Sequence, residues 1–139
     1  MTDKVFVDTN ILVYAHDLDA GDKHSLAADI VSELWESRSG ILSTQVLQEF
    51  YITLTRKVSS PLSKLEARKL VQKYSHWHIV LNDSSMIAQA NEIEESHKLS
   101  FWDALIVSAA YSQNVPTFFT EDLGHGQIIE GIAIKNPFV

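Results

Sequence analysis

Short runs of consecutive apolar residues alternate along this chain with longer stretches whose apolar residues recur every three or four positions. That alternation constrains the fold more tightly than any other feature. Val5-Phe6-Val7 is apolar throughout, which suits a strand buried on both faces. Helical spacing follows from about Ile11. A second helix is predicted from Asp22, as cap, to Arg38, because Leu26, Ile30, Val31, Leu34 and Trp35 share one stripe. Gly40 then precedes a strand at Ile41-Leu42. Helices are predicted from Thr44 to about Lys57 and from Pro61 to about Tyr74, with Ser60 and Pro61 as cap and first position. Trp77 to Leu81 reads as a third strand, Asp83 to Lys98 as a polar-faced helix, and Ser100 to Gln113 as a helix apolar on nearly every side. Thr117-Phe118-Phe119 is a fourth strand, and Ile132-Ala133-Ile134 a short fifth at the edge. Strands alternating with helices predict an α/β fold, a parallel sheet covered on both faces. No repeat or flexible linker divides the 139 residues, so 1–139 reads as one domain.

Composition removes several classes of function. The chain has no cysteine, which excludes disulfide scaffolds, zinc–thiolate sites, iron–sulfur clusters and thiol catalysis. The opening MTDKVFVDTN carries Asp3, Lys4 and Asp8 and does not read as a signal peptide. The longest uncharged run, Ala104 to Thr120, is interrupted by Ser108, Ser112, Gln113, Asn114 and Pro116, too polar a stretch to span a bilayer. A cytoplasmic protein without a membrane partner is the expectation. Neither a phosphate-binding P-loop motif nor a serine-hydrolase elbow occurs. The net charge of −7 argues, taken alone, against nucleic acid. Its distribution says otherwise. Arg56, Lys57, Lys64, Arg68, Lys69 and Lys73 face only Glu66 within one window, giving +5 there and −12 elsewhere. That stripe reads either as a solvated helix face or as a guide for an RNA backbone, with Arg56, Lys57, Arg68 and Lys69 the candidates.

In open parallel sheets, ligands bind outside the carboxyl ends of the strands. Asp8 directly follows the first strand, beside Thr9 and Asn10, and Asp122 stands just past the fourth, two residues after Thr120. Each also has a plainer reading as a loop or cap residue. Asp103 sits in SFWDALIVSAAY among Phe101, Trp102, Ala104, Leu105, Ile106 and Val107, so no solvated face is available to it. Burying it unpaired would be costly, and a capping box with Ser100 is its structural alternative. Glu49 lies at the edge of the stripe Val46, Leu47, Phe50, Tyr51 and Leu54, a surface position by periodicity. Its helix, however, follows the second strand. Four acids from four segments thus converge on one sheet edge, where their mutual repulsion calls for protons or cations. Hard oxygen donors favour Mg²⁺ or Mn²⁺, which can activate water at a phosphodiester. The residues by themselves predict a metal-dependent phosphoryl-transfer or hydrolytic site. Two rivals stand beside it: a phosphatase with an aspartyl nucleophile, which wants Asp where Asn10 stands, and a non-catalytic acidic pocket that binds metal or protein. His76, His78 and His125 read as strand-surface and turn residues, and Tyr14, Trp35 and Phe50 as core.

Taken together, these segments resemble the PIN-domain endoribonucleases, in particular the VapC toxins of type II toxin–antitoxin modules. VFVDTNILVYA, with Asp8, is similar to the family's first acidic motif, and TQVLQEFY carries Glu49 at the second. SFWDALIVSAA carries Asp103 at the third, with Ser100 ahead of it, and TEDLGHGQIIEGIAIKNPF carries Asp122 at the fourth. The resemblance spans the whole chain and lies in the four motifs occurring in order. It implies a three-layer α/β/α sandwich on a parallel five-stranded sheet, Mg²⁺- or Mn²⁺-dependent cleavage of RNA, and a homodimer. It also implies neutralisation by an antitoxin protein whose C-terminal segment covers the acidic pocket. On this resemblance Asp8 and Asp103 are metal ligands, Glu49 and Asp122 complete the site directly or through water, and Thr9, Asn10, Ser100 and Thr120 support them.

Overall fold

A computed structural model describes residues 3–139. The strands are β1 (Val5–Val7), β2 (Gly40–Ser43), β3 (His78–Val80), β4 (Thr117–Phe119), β5 (Ile128–Ile129) and β6 (Ile132–Lys135). They form one sheet in the order β3-β2-β1-β4-β6-β5, in which every pairing is parallel except the antiparallel β5–β6. The helices are α1 (Thr9–Tyr14), α2 (Asp22–Ser37), α3 (Thr44–Arg56), α4 (Lys64–Tyr74), α5 (Ser84–His97) and α6 (Phe101–Ser112). They fall into two packed groups, α1 to α4 and α5 with α6. The chain runs one way from β1 to β3, then crosses back to β4 on the far side of β1. Right-handed crossovers in opposite directions place the two groups on opposite faces, so the predicted three layers are present.

Phe6 of β1 stacks on Phe118 of β4 at 5.3 Å, and these rings anchor a core that also holds Val7, Leu42, Val46, Phe50, Val107 and Ile134. Of the three aromatics assigned to the core, Phe50 is buried, while Tyr14 and Trp35 are partly buried against it. Gly40, the first residue of β2, lies flat against Trp77: a Cβ there would stand 2.3 Å from the indole ring. No helix among the described residues is long and apolar enough to cross a membrane.

Several expectations need correction. The sheet has six strands, not five, because a tight hairpin through Glu130 and Gly131 adds β5 antiparallel to β6. Both turn residues have positive φ (51° and 80°), the conformation that matches the twist of a two-residue hairpin. Helix α4 starts at Lys64 behind Ser63, not at Pro61 behind Ser60. Ser63 and Glu66 form a full capping box, so two backbone donors are satisfied that a cap at Ser60 would leave open. Asp22 is the first residue of α2, and Gly21 is its cap. Trp102, counted among the apolar residues enclosing Asp103, is 62% exposed.

Candidate active site

Strand order reverses between β1 and β4, and such a switch point leaves a crevice at the carboxyl ends of the strands. Asp8 follows β1 and caps α1, its Oδ1 accepting from the Thr9 backbone N at 2.7 Å. The plainer cap reading is therefore true, yet it uses one oxygen only. The other, Oδ2, accepts from the Thr120 hydroxyl at 2.7 Å, just past β4. The same hydroxyl accepts from Asp122 N at 3.1 Å. Asn10 spans the gap in turn, donating through Nδ2 to Asp122 Oδ2 (3.0 Å) while its Oδ1 accepts from Glu121 N (3.2 Å). Thr9 donates its hydroxyl to Glu49 Oε1 at 2.7 Å. Three neutral side chains thus each position one carboxylate.

Asp8, Glu49, Asp103 and Asp122 line a single cavity of about 400 Å³, together with Thr9, Asn10, Gln48, Ile52, Thr53, Lys57 and Ile106. Asp103 enters from the first turn of α6, where its backbone N donates to Ser100 Oγ at 3.1 Å. No return bond from its carboxylate to Ser100 N exists among the described residues, so the capping box is only half built. The Glu121 carboxylate takes no part. It pairs with Lys23, accepts from the Tyr14 hydroxyl, and does not line the cavity. Partial burial raises its pKa, but the hydrogen bonds from Lys23 and Tyr14 outweigh burial and hold it below the usual carboxylate range.

Two of the cavity acids, Asp8 and Asp103, behave in the opposite way. Burial pushes Asp8, only 5% exposed, up to a pKa of about 7 against the hydrogen bonds from Thr120 and Thr9, and the charges of Asp122 and Glu49 add to the rise. Asp103 is raised too, first by burial and then by Asp122 and Glu49, with Ser100 opposing. Among the described residues none of the four is in an ion pair. The donor set is all oxygen, anionic and mutually repelling, which fits a hard divalent cation. The carboxylates form an open wall. No three His, Asp or Glu side chains among the described residues are already gathered into a closed metal shell.

Sequence reasoning missed Gln45. It is buried in the first turn of α3, and its Nε2 donates to Glu49 Oε2 (3.3 Å) and to the Trp102 carbonyl (3.1 Å), tying α3 to the start of α6. The only signal was its place one helical turn before Glu49. Of the basic candidates, Lys57 lines the cavity. Arg68 lines an adjoining groove that shares Gln48 and Ile52 with it, and Arg56 and Lys69 are exposed and border neither.

The model of the PIN-domain family matches residues 5–129 of the chain. No curated protein sequence matches it. VapC20 of Mycobacterium tuberculosis, a toxin that cleaves the sarcin–ricin loop, has the same fold at 20% identity and a TM-score of 0.65, over 86% of this chain and 90% of that one. VapBC2 from Rickettsia felis, bound to a DNA fragment from its promoter, aligns at 20% identity and a TM-score of 0.68 over 95% and 97%. A toxin–antitoxin complex from Klebsiella pneumoniae aligns at 18% identity and a TM-score of 0.69 over 96% and 98%. At such identities the likeness is one of fold.

Proposed function

This chain belongs to the PIN-domain family, and from that premise we propose that it is a Mg²⁺- or Mn²⁺-dependent endoribonuclease, the toxin of a toxin–antitoxin pair. Residues 1–139 act as one domain and the protein works as a cytoplasmic homodimer, silenced by an antitoxin that covers the acidic cavity. One observation carries the reading: four carboxylates from four segments line one cavity, unpaired with any cation among the described residues.

Asp8 and Asp103 would hold the ion, with Glu49 and Asp122 completing its site directly or through water. When bound, the ion supplies Lewis-acid activation of water and offsets charge developing on the phosphate. Thr120, Thr9 and Asn10 keep Asp8, Glu49 and Asp122 aimed into the cavity, so little reorganisation is needed as charge builds. Gln45 fixes the second oxygen of Glu49. Lys57 brings a positive charge to the same cavity, suited to a phosphate oxygen of the RNA. A water oxygen adds to phosphorus and gives up a proton, one phosphorus–oxygen bond to ribose breaks, and the leaving oxygen takes up a proton.

End-labelled RNA incubated with Mg²⁺, with Mn²⁺ and with EDTA tests the reading, beside a simple phosphate monoester. Internal cleavage that needs metal and is lost in Asp103→Asn is expected. Monoester hydrolysis would mark a phosphatase instead, and metal binding without cleavage a binding module.

A further inference from the structure

At the opposite edge of the sheet, where β2 and β3 begin, a second cavity of about 390 Å³ opens between the end of α2 and the segment entering β3. Its walls include Trp35, Arg38, Gly40, His76, Trp77 and His78, and none of its lining residues is acidic. On a chain of net charge −7, a pocket lined by one arginine and two histidines with no carboxylate runs against the average. Lys73 adds to the positive field from the side, 5.5 Å from the centroid of the Trp35 ring.

The aromatic wall is held rigid. Trp35 and Trp77 meet edge to face at 5.5 Å, Tyr74 packs against both, and Gly40 lets the Trp77 ring lie on bare backbone. Trp77 Nε1 is buried with no hydrogen-bond partner among the described residues, an exception to the rule that buried donors are paired. Arg38, His76 and His78 are exposed and, among the described residues, take part in no hydrogen bond or ion pair between side chains, which leaves their donors to a ligand. Indole surface, chiefly that of the partly buried Trp35, stands beside Arg38 and two imidazoles, with no carboxylate among the lining residues. That combination takes up a base by stacking and its phosphate by hydrogen bonds, the one from Arg38 charge-assisted. The volume suits one nucleotide.

We propose that this second cavity binds a nucleotide, its base against the Trp35–Trp77 wall and its phosphate at Arg38, His76 and His78. The nucleotide is either free or one unit of an RNA strand. The site is separate from the carboxylate cavity and does not depend on cleavage taking place there.

The test uses Trp102→Phe protein in EDTA, so that the remaining tryptophan fluorescence comes only from the two indoles of the cavity and no RNA is cut. AMP, GMP, CMP, UMP, inorganic phosphate and a short oligoribonucleotide are titrated in turn. Saturable quenching by at least one mononucleotide is expected, weakened tenfold or more by Arg38→Gln and by the double change His76→Gln with His78→Gln. These side chains are exposed, so the variants should fold, and an unchanged thermal melt checks this. Tighter binding of the oligoribonucleotide than of its mononucleotides would identify the strand as the ligand, and equal binding the free nucleotide. The proposal is overturned if no mononucleotide quenches, if phosphate alone competes as well as any nucleotide, or if the Arg38 and His variants bind within twofold of the parent.

Discussion

At the scale of single residues, Asp8 shows how one side chain serves fold and site together: one oxygen caps α1, and the other is held by Thr120 in the cavity. Asp8→Asn and Asp103→Asn should each lower RNA cleavage at least about a hundredfold, roughly 3 kcal/mol in the barrier, while circular dichroism stays that of the parent. Retained cleavage within a few-fold in purified Asp103→Asn would sink the metal-site reading. Thr120→Val tests positioning apart from ligation. It removes the donor to Asp8 Oδ2 and the acceptor of Asp122 N without touching a carboxylate, so cleavage should fall about tenfold while stability drops by about 1–2 kcal/mol. Asp8 and Asp122 could be picked out because each follows a strand, though a cap or loop role stood open to both and Asp8 does cap α1. Asp103 stood out because its largely apolar helix leaves a carboxylate few ordinary roles. Gln45 was hidden for the converse reason: an amide in the first turn of a helix is ordinary, and only the approach of α6 buries it.

Element boundaries were legible where a local signal faced no competitor. Ser43, Asp83 and Ser100 cap α3, α5 and α6 as short polar residues ahead of apolar spacing should. At α4 two serines competed, and the reciprocal bond from Glu66 decides for Ser63. Ser63→Ala should therefore cost about 1 kcal/mol in urea unfolding, and Ser60→Ala much less. The β5–β6 hairpin escaped notice because β5 is two residues long and its turn, Glu130-Gly131, is a weak form of the usual Asn-Gly signal. Gly40 carries a cost that no periodicity reveals. Gly40→Ala drives a methyl into the Trp77 ring from the first residue of β2, so overpacking should destabilise by about 1–3 kcal/mol, read as a lower urea midpoint at unchanged slope.

For the whole molecule, the parallel sheet with its acids at one edge followed from the order of the elements, whereas the spread of charge over the surface did not. Of the bases in the stripe Arg56 to Lys73, Lys57 reaches the cavity and Arg68 the groove beside it. Lys57→Gln should thus flatten the slope of log RNA affinity against log salt by about 0.7, and Lys69→Gln should change it less. Stability against pH offers a sharper test, because two buried groups pull in opposite directions. Asp8 rises from 3.8 to about 7, so the native state holds its proton where the unfolded chain has lost it, and stability falls as pH climbs between those values. His16 is lowered by burial, with Lys73 and His24 adding, from 6.5 to about 4, so the unfolded chain is the one that binds the proton. Its contribution makes stability rise over nearly the same range. In EDTA the two slopes should largely cancel up to about pH 6, leaving the Asp8 loss alone toward pH 7. A divalent ion binds only the folded cavity and keeps Asp8 ionised, which abolishes the falling slope and leaves that of His16. The gap in melting temperature between Mn²⁺ and EDTA should therefore widen from about pH 5 to 7 and level off above that, and Asp8→Asn should close most of it. Melts of both proteins across that range decide the point: a gap that is constant with pH, or that survives intact in Asp8→Asn, would place the metal away from Asp8.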